Sequence, residues 1–259
     1  MFILGIETAT PWGSIALWED GATLCEMSLK AQRGGGEFLL ATLADWLPMT
    51  GRTLAELDCI AVGNGPGSYT GIRVGMAMAN GLAEGLRIPV YGVNTLRIVA
   101  ENAVCFPEPN LAGIGPPGAD HGAMAGAGWE WVAAVIDARR DQVYAALYRN
   151  SAAGLAEEIP PQSVAATAFA QELAGRSVLL CGDGGKKYRE LWTAFPNLRI
   201  APPDWDRPQA SRLARLAAQN AAADPKRTQP DGGTFDHPAL KPAYLKKVEA
   251  VARWEEKCK

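Results

Sequence analysis

The sequence has very little histidine, which limits the chemistry it can perform. Its only two histidines, His121 and His237, are far apart and lack the HxxxH or HExxH spacing that places two imidazoles on one helix face. A histidine-based metal site or a Ser-His-Asp triad is therefore not expected. We predict no catalytic residues, no metal ligands and no peptidase activity.

Cysteine pairs, long apolar runs and a signal sequence are also missing. The five cysteines are odd in number, scattered, and form no CxxC pair. Such a set predicts neither a disulfide framework nor a thiolate zinc site, and it fits a reducing compartment. No apolar run approaches the length of a membrane span, and the first residues lack the basic start of a signal peptide. We therefore expect a cytoplasmic protein that does not contact a membrane.

Positive charge is not in excess. With 25 basic and 28 acidic residues the formal net charge is −3. The chain therefore has no overall positive potential that would bind phosphates. If nucleic acid is involved, a partner is expected to do most of the binding. The length of 259 residues allows one large domain or two modest ones with a real core.

The most distinctive stretch runs from Gly63 to Gly75 and reads GNGPGSYTGIRVG. It follows an apolar strand pattern and leads into a helical pattern that extends to about Leu86. Ser68 or Thr70 is expected to cap the first helical turn. The GxGxxxG spacing matches no dinucleotide fingerprint, and the next strand does not end in an acid that would bind a ribose.

Small residues continue along this helix at the spacing of one face: Gly71, Gly75 and Ala79, with Gly81 and Gly85 further along. Each mid-helix glycine costs about 0.5–1 kcal/mol relative to alanine, so several of them require a compensating gain such as close helix packing. The stripe could pack inside its own lobe. Alternatively it could form a docking surface, with Ile72 and Met76 adding an adaptable apolar area.

The apolar segments fall into two groups. The order βββαβαβα over residues 1–104 indicates a first α/β lobe. Residues 105–130 are rich in glycine and proline and are interpreted as a linker or insertion. A second lobe covers residues 131–223, including one helix around Lys187–Phe195 and a last helix that could pack on the first lobe. Residues 224–259 form a tail.

Each lobe begins with an apolar strand that presents an acid at a hairpin, Glu7 in the first lobe and Asp137 in the second. This repetition suggests a duplicated α/β unit. In actin-like ATPases, acids at the two hairpins organise Mg²⁺ and phosphate across a cleft. Alternatively, each acid only caps its turn. The glutamate at position 7, and the arginines Arg139 and Arg140 beside the second acid, favour this simpler interpretation.

The segment from Gly65 to Gly75 resembles the GPGSFTGLRIG signature of the bacterial TsaB (YeaZ) family. Similar blocks occur at the opening strand with residues 14–17, at 136–140, at 144–148, at 89–93 and at 242–245. The resemblance covers nearly the whole chain except 107–128. The chain departs from the family at 7–10, where Asp-Thr-Ser-Thr is typical, and at 34–37, where Asn-His-Ser-Glu is common. These departures weaken a nucleotide or magnesium site in the first lobe.

The resemblance implies that the chain is an α/β protein with a duplicated actin/Hsp70-like (RNase H-like) two-lobe fold, in which helices flank mixed sheets. It implies a non-catalytic role in making threonylcarbamoyladenosine next to the anticodon of tRNA, as a partner of a TsaD-like transferase alongside a TsaE-like ATPase. tRNA would be reached only through the complex, and the chain alone would form a homodimer through the same surface. No intrinsic cofactor is implied, and ATP or ADP and Mg²⁺ would act only within the complex.

The family resemblance favours the docking interpretation of the glycine-rich stretch. The expected partner or dimer interface consists of Gly65, Pro66, Gly67, Ser68, Tyr69, Thr70, Gly71, Ile72, Arg73, Gly75, Met76 and Ala79. The rival hypothesis is a self-sufficient ATPase or phosphotransferase of the actin-like fold. It would bind Mg-ATP by itself, with Glu7 and Asp137 as the acids of the nucleotide cleft.

Overall fold

The computed structural model describes residues 1–30, 35–105, 129–223 and 240–245. The 107–128 stretch, His121, His237 and most of the tail lie outside the described residues. Within the described residues, no helix combines the length and apolar character needed to span a membrane.

The described part of the first lobe is one five-stranded sheet with three α-helices and a short 3-10 helix, Leu54–Glu56. Its strands are β1 (Phe2–Glu7), β2 (Trp12–Glu19), β3 (Ala22–Lys30), β4 (Cys59–Gly63) and β5 (Val90–Val93). Its helices are α1 (Gly35–Thr50), α2 (Tyr69–Leu86) and α3 (Thr95–Cys105). The strand order is β3-β2-β1-β4-β5, in which β1, β2 and β3 form an antiparallel meander and β4 and β5 continue parallel to β1.

The second lobe repeats this plan. Its strands are β6 (Trp131–Asp137), β7 (Gln142–Ser151), β8 (Gly154–Ala165), β9 (Val178–Cys181) and β10 (Leu198–Ile200). Its helices are α4 (Ala166–Glu172), α5 (Asp183–Lys187), α6 (Arg189–Thr193) and α7 (Ala210–Ala223). The order β8-β7-β6-β9-β10 matches the first sheet strand for strand, so the predicted duplicated two-lobe fold with mixed sheets is confirmed.

The second lobe differs from the sequence prediction in its helices. The single helix predicted around Lys187–Phe195 is instead two five-residue helices, α5 and α6, separated at Tyr188. Tyr188 has φ −109° and ψ 36°, which is not helical. The equivalent position in the first lobe holds the uninterrupted 18-residue α2.

Each sheet has an outer face covered by helices of its own lobe. On the first sheet, the apolar sides of α1 and α2 pack over β1, β2 and β4, and the core includes Leu39, Leu43 and Ile72. On the second sheet, α4 and α6 supply Phe169 and Trp192 to the equivalent core.

The inner faces are covered by an exchange of helices between the lobes. Helix α3 belongs to the first lobe by sequence, but Leu96 and Val99 pack against β6, β7 and β9 of the second sheet. Helix α7 comes after the second sheet, yet Leu213 and Ala217 pack against β1, β2, β4 and β5 of the first. Each lobe therefore contributes a helix to the core of the other, and these shared cores join the two lobes.

Polar contacts reinforce this crossing. Glu101 on α3 is only 3% exposed and pairs with Arg97 on its own helix and with Arg215 on α7. The buried Asn102 amide donates to the carbonyl oxygens of Trp205 and Arg207, at 3.0 and 2.9 Å. Two arginine partners compensate the buried carboxylate for its lost hydration. Polar contacts as well as apolar packing therefore join α3 to α7 and the segment before it.

Candidate functional site

The glycine-rich turn between β4 and α2 lies directly against the tip of the first hairpin. The Ser68 N–H donates to the Ala9 carbonyl oxygen at 2.6 Å, and the Thr8 hydroxyl donates to the Gly71 carbonyl oxygen at 2.8 Å. A Cβ added at Gly67 or Gly71 would collide with the carbonyl oxygens of Ala9 and Thr8. These glycines are therefore needed because backbone approaches backbone here.

Helix α2 begins and ends as the sequence predicts. It starts at Tyr69 with Ser68 as the N-cap, whose side chain accepts from the Gly71 N–H at 3.2 Å, and it ends at Leu86. The cap prediction is confirmed for Ser68, while Thr70 is the second residue of the helix.

The small-residue stripe that was predicted as part of the docking surface lies on the inner face of α2. Ile72, Gly75, Met76 and Ala79 face inward and are buried, and a Cβ at Gly75 would collide with the Thr8 hydroxyl. These four residues make their contacts within their own lobe, because the inner face of α2 must fit over the hairpin and the sheet. The buried Gly65 and Pro66 likewise belong to the turn itself.

The outward face of α2 carries the remaining predicted interface residues. Ser68, Tyr69, Thr70 and Arg73 are exposed, and Gly67 and Gly71 are half-buried. Further along, the exposed residues on this face are Val74, Ala77, Asn80, Gly81, Glu84 and Gly85. In the part of the chain that the structure describes, no neighbouring atom lies within 4 Å of the position that a Cβ would take at Gly81 or Gly85. The structure thus separates two glycine sets, one that fits the hairpin and one with open space above it.

Glu7 lies at the end of β1 and is fully buried. One carboxylate oxygen accepts from the Ala9 N–H at 2.5 Å, and the other accepts from the Thr95 hydroxyl at 3.2 Å. Gly63 on β4 abuts this carboxylate so closely that a Cβ would overlap it. Burial raises the pKa of Glu7 to about 7, against the smaller lowering effect of these hydrogen bonds. The Glu7 side chain has no exposed surface, and its role as a nucleotide-cleft acid stays a prediction.

Asp137 occupies the equivalent place at the end of β6 but is only half-buried. One carboxylate oxygen accepts from the Arg139 N–H at 2.8 Å and from the Tyr188 hydroxyl at 3.0 Å. The Asp137 N–H donates to the Asp183 carboxylate at 2.9 Å. The adjoining hairpin holds Arg139, Arg140 and Asp141 at φ values of 61°, 54° and 58°, a region that costs non-glycine residues free energy.

Two further acids lie beside this second hairpin. Burial raises the pKa of Asp183, and burial with the nearby Asp183 charge raises the pKa of Asp206 to about 6. Within the described part of the chain, no group of three or more His, Cys, Asp or Glu side chains is placed to hold a metal ion. Sequence reasoning did not single out Thr95 as the partner of Glu7, since the two residues are 88 positions apart along the chain.

In the first lobe, protein contacts already occupy groups near the hairpin that could bind a nucleotide. The Ser68 N–H, which could donate to a phosphate, already donates to Ala9, and the Glu7 carboxylate is sealed behind the hairpin. In this lobe the glycine turn therefore bonds to the backbone of the hairpin through the Ser68 N–H.

The repeated sheet order and the two acid-ended strands define a two-lobed protein of the actin/Hsp70 class. A family model described as "TsaD: tRNA N6-adenosine threonylcarbamoyltransferase" matches residues 30–113. The Escherichia coli (strain K12) tRNA threonylcarbamoyladenosine biosynthesis protein TsaB is 33% identical over 202 residues, covering 76% of this chain and 75% of the relative. The protein of the same name from Bacillus subtilis (strain 168) is 27% identical over 260 residues, covering 99% of each.

Solved structures agree with this relationship. YeaZ from Pseudomonas aeruginosa aligns with a TM-score of 0.68 and 27% identity, covering 86% of this chain and 93% of that one. An uncharacterized Pseudomonas aeruginosa protein, described as similar to the peptidase YeaZ, aligns at 0.70 with 26% identity, covering 95% and 99%. The chain belongs to the TsaB (YeaZ) family.

Proposed function

We propose that this chain is a non-catalytic subunit in the biosynthesis of tRNA threonylcarbamoyladenosine. It docks on a TsaD-family transferase through the exposed face of α2 and enables that enzyme to modify tRNA. The names of its curated relatives support the pathway. The match of residues 30–113 to the TsaD family supports an evolutionary relation between this chain and the proposed partner.

The observation that carries the docking surface is the open space above Gly81 and Gly85. Each glycine weakens the helix by about 0.5–1 kcal/mol relative to alanine. None of the described residues requires the missing Cβ at either position, unlike at Gly71, where the hairpin does. A second helix that approaches α2 closely would supply the compensating contacts.

The neighbouring exposed side chains suit a protein interface. Tyr69 and Val74 on α2 are 36% and 37% exposed, and Phe38 and Leu40 on α1 are 51% and 39% exposed. Both helices pack on the outer face of the first sheet, so these apolar groups belong to one side of the lobe. Aromatic residues are typical anchors of protein interfaces.

The chemical step belongs to the transferase in this proposal. ATP or ADP and Mg²⁺ act only within the complex, where a TsaE-family ATPase also takes part, and tRNA is contacted through the complex. In the absence of its partner the chain forms a homodimer through the same face of α2. The glycine turn covers the tip of the first hairpin and is already bonded to Thr8 and Ala9. This arrangement, the closed hairpin, supports assigning the chemical step to the transferase.

The decisive experiment combines a binding titration with a reconstituted tRNA modification assay. Wild-type chain is expected to bind a TsaD-family protein and to be required for modification. Ala77→Glu, which places a charge on the exposed face of α2, is expected to weaken binding about tenfold or more, because a desolvated charge at an interface centre is costly.

The matched control is Ala168→Glu, the same change at an exposed position of α4 in the second lobe. It is expected to bind as the wild type does. Full modification without this chain would contradict the proposal, and equal binding by both variants would contradict the docking surface. Gly75→Leu is unsuitable here, because Gly75 is buried and its replacement would disturb folding.

The rival ATPase hypothesis has its own test. It requires the isolated chain to bind Mg-ATP and requires Asp137→Asn to abolish that binding. We expect calorimetry of the isolated chain with Mg-ATP to show no binding. A measurable affinity that Asp137→Asn removes would favour the rival.

A further inference from the structure

A short segment of the tail, residues 240–245, lies on the glycine turn and the start of α2. The Ala243 N–H donates to the Asn64 carbonyl oxygen at 2.7 Å, which joins the segment to the end of β4. The Leu240 side chain packs against the first-lobe core, beside Gly92. The segment is therefore attached by its backbone at one point and by an apolar side chain at another.

Tyr244 in this segment completes a group of three side chains with two residues of α2. Its ring lies beside the Tyr69 ring, with centroids 5.1 Å apart and a 33° angle between planes. Its hydroxyl accepts from the Arg73 Nε at 3.1 Å. The Arg73 guanidinium carbon lies 4.0 Å from the centre of the Tyr69 ring, so each side chain contacts the other two.

This group of Tyr69, Arg73 and Tyr244, the anchor group, is held in place but not covered. Tyr69 is 36% exposed, Tyr244 is 39% exposed, and Arg73 is exposed. Among the residues that the structure describes, no carboxylate pairs with Arg73. One ring contact and one hydrogen bond restrict the arginine, which lowers the ordering cost of binding.

We propose that the tail segment 240–245 completes the docking surface, presenting the anchor group to the transferase partner. The partner surface would offer a carboxylate to Arg73 beside an apolar recess for the two tyrosine rings. The transferase is the expected partner of the anchor group because this group is continuous with the proposed docking face. Tyr69 and Arg73 occupy the first two turns of the exposed face of α2. The inference rests on the proposed function and adds to the surface a residue, Tyr244, that is 171 positions from Arg73 in the sequence.

The test is a titration of the TsaD-family protein with the full chain and its variants. Tyr244→Ala removes the ring and is expected to weaken binding about tenfold or more, as for interface anchors. Tyr244→Phe removes only the bond to Arg73 and is expected to weaken binding by a few-fold. Lys241→Ala, an exposed change in the same segment, is the control and is expected to bind normally.

A double-variant cycle separates the anchor group from a simple loss of area. Tyr244→Phe combined with Arg73→Gln is expected to weaken binding by less than the product of the two single effects, because the two side chains act together. Thermal unfolding of each variant shows whether the fold is retained, and the Tyr244→Phe arm stands if Tyr244→Ala does not fold.

Three outcomes would overturn the inference. Both Tyr244 variants could bind as the wild type does, which would mean that Tyr244 does not contribute to binding. If they bound more tightly, the tail segment would be obstructing the partner. Alternatively the variants could change only self-association in size-exclusion chromatography, which would assign the anchor group to a second copy of this chain. Absence of binding by the wild type would overturn the proposed function as well.

Discussion

In both lobes the acid that ends the first strand accepts a hydrogen bond from the N–H two residues later, Glu7 from Ala9 and Asp137 from Arg139. The surroundings of the two acids differ. Glu7 has no exposed surface, whereas Asp137 is half-buried and also accepts from the Tyr188 hydroxyl.

The difference originates in the segment after the fourth strand of each lobe. In the first lobe, a glycine turn and the long α2 close over the hairpin, and Gly67 and Gly71 permit backbone contact. In the second lobe, the equivalent region is the broken pair α5 and α6, which places Tyr188 beside the hairpin instead. One topology thus supports a closed hairpin in the first lobe and a more open one in the second.

The largest effect is expected for a change that forces the closed hairpin apart. Gly71→Ala places a methyl group against the Thr8 carbonyl oxygen, and we expect a loss of about 3 kcal/mol in the free energy of unfolding, the upper end for overpacking. Urea denaturation provides the measurement. Gly81→Ala on the same helix meets open space and is expected to gain about 0.5–1 kcal/mol. Equal effects of the two changes would contradict the closed hairpin.

The next effect concerns the buried acid. The folded protein raises the pKa of Glu7 from 4.5 to about 7, so it retains a proton that the unfolded chain has lost. The contribution of Glu7 to stability is therefore full below pH 4.5, falls as the pH rises, and is lost above pH 7. Glu7→Gln does not titrate, and at pH 8 it is expected to be about 2–3 kcal/mol more stable than the wild type.

Unfolding measured in urea from pH 4.5 to pH 8 checks this expectation. Asp206, whose pKa is raised to about 6, contributes pH dependence of the same sign, so Glu7→Gln should reduce the slope without abolishing it. Asp206→Asn on the Glu7→Gln background should reduce it further. A wild-type stability that rises between pH 5 and pH 7 would contradict the burial of Glu7.

The smallest effects compare the hydroxyl partner of each acid. Thr95→Val removes a buried donor to Glu7 and is expected to cost about 1–3 kcal/mol. Tyr188→Phe removes the donor to the more exposed Asp137 and is expected to cost only about 0.5–1 kcal/mol. Denaturation of both variants at one pH gives the comparison, and a larger cost for Tyr188→Phe would reverse the assignment of closed and open hairpins.

Local chemistry made part of this fold predictable. The cap at Ser68, the end of α2 at Leu86 and the acids at both hairpins follow from residue types a few positions apart. The repeated order of elements likewise predicted two lobes of one design, because strand and helix periodicities are short-range signals.

Long-range contacts account for what the sequence could not reveal. The face of α2 that points inward is the one that contacts Thr8, which lies 63 residues before Gly71. Small residues alone do not predict this face, because they suit an inward or an outward face equally well. An apolar helix face also predicts burial without naming the sheet that covers it, so the packing of α3 on the second sheet was not foreseeable. At the break between α5 and α6, the Tyr188 hydroxyl donates to Asp137, a contact that again joins residues far apart in the sequence.

The exchange of α3 and α7 has a consequence for the order in which a ribosome completes this protein. The first sheet is synthesised early, but its inner face stays bare until α7, which ends at Ala223, has emerged. Helix α3 likewise waits for a sheet that begins at Trp131. Neither lobe can therefore complete its core alone, and the inner face of the first sheet stays open to aggregation until α7 has been synthesised.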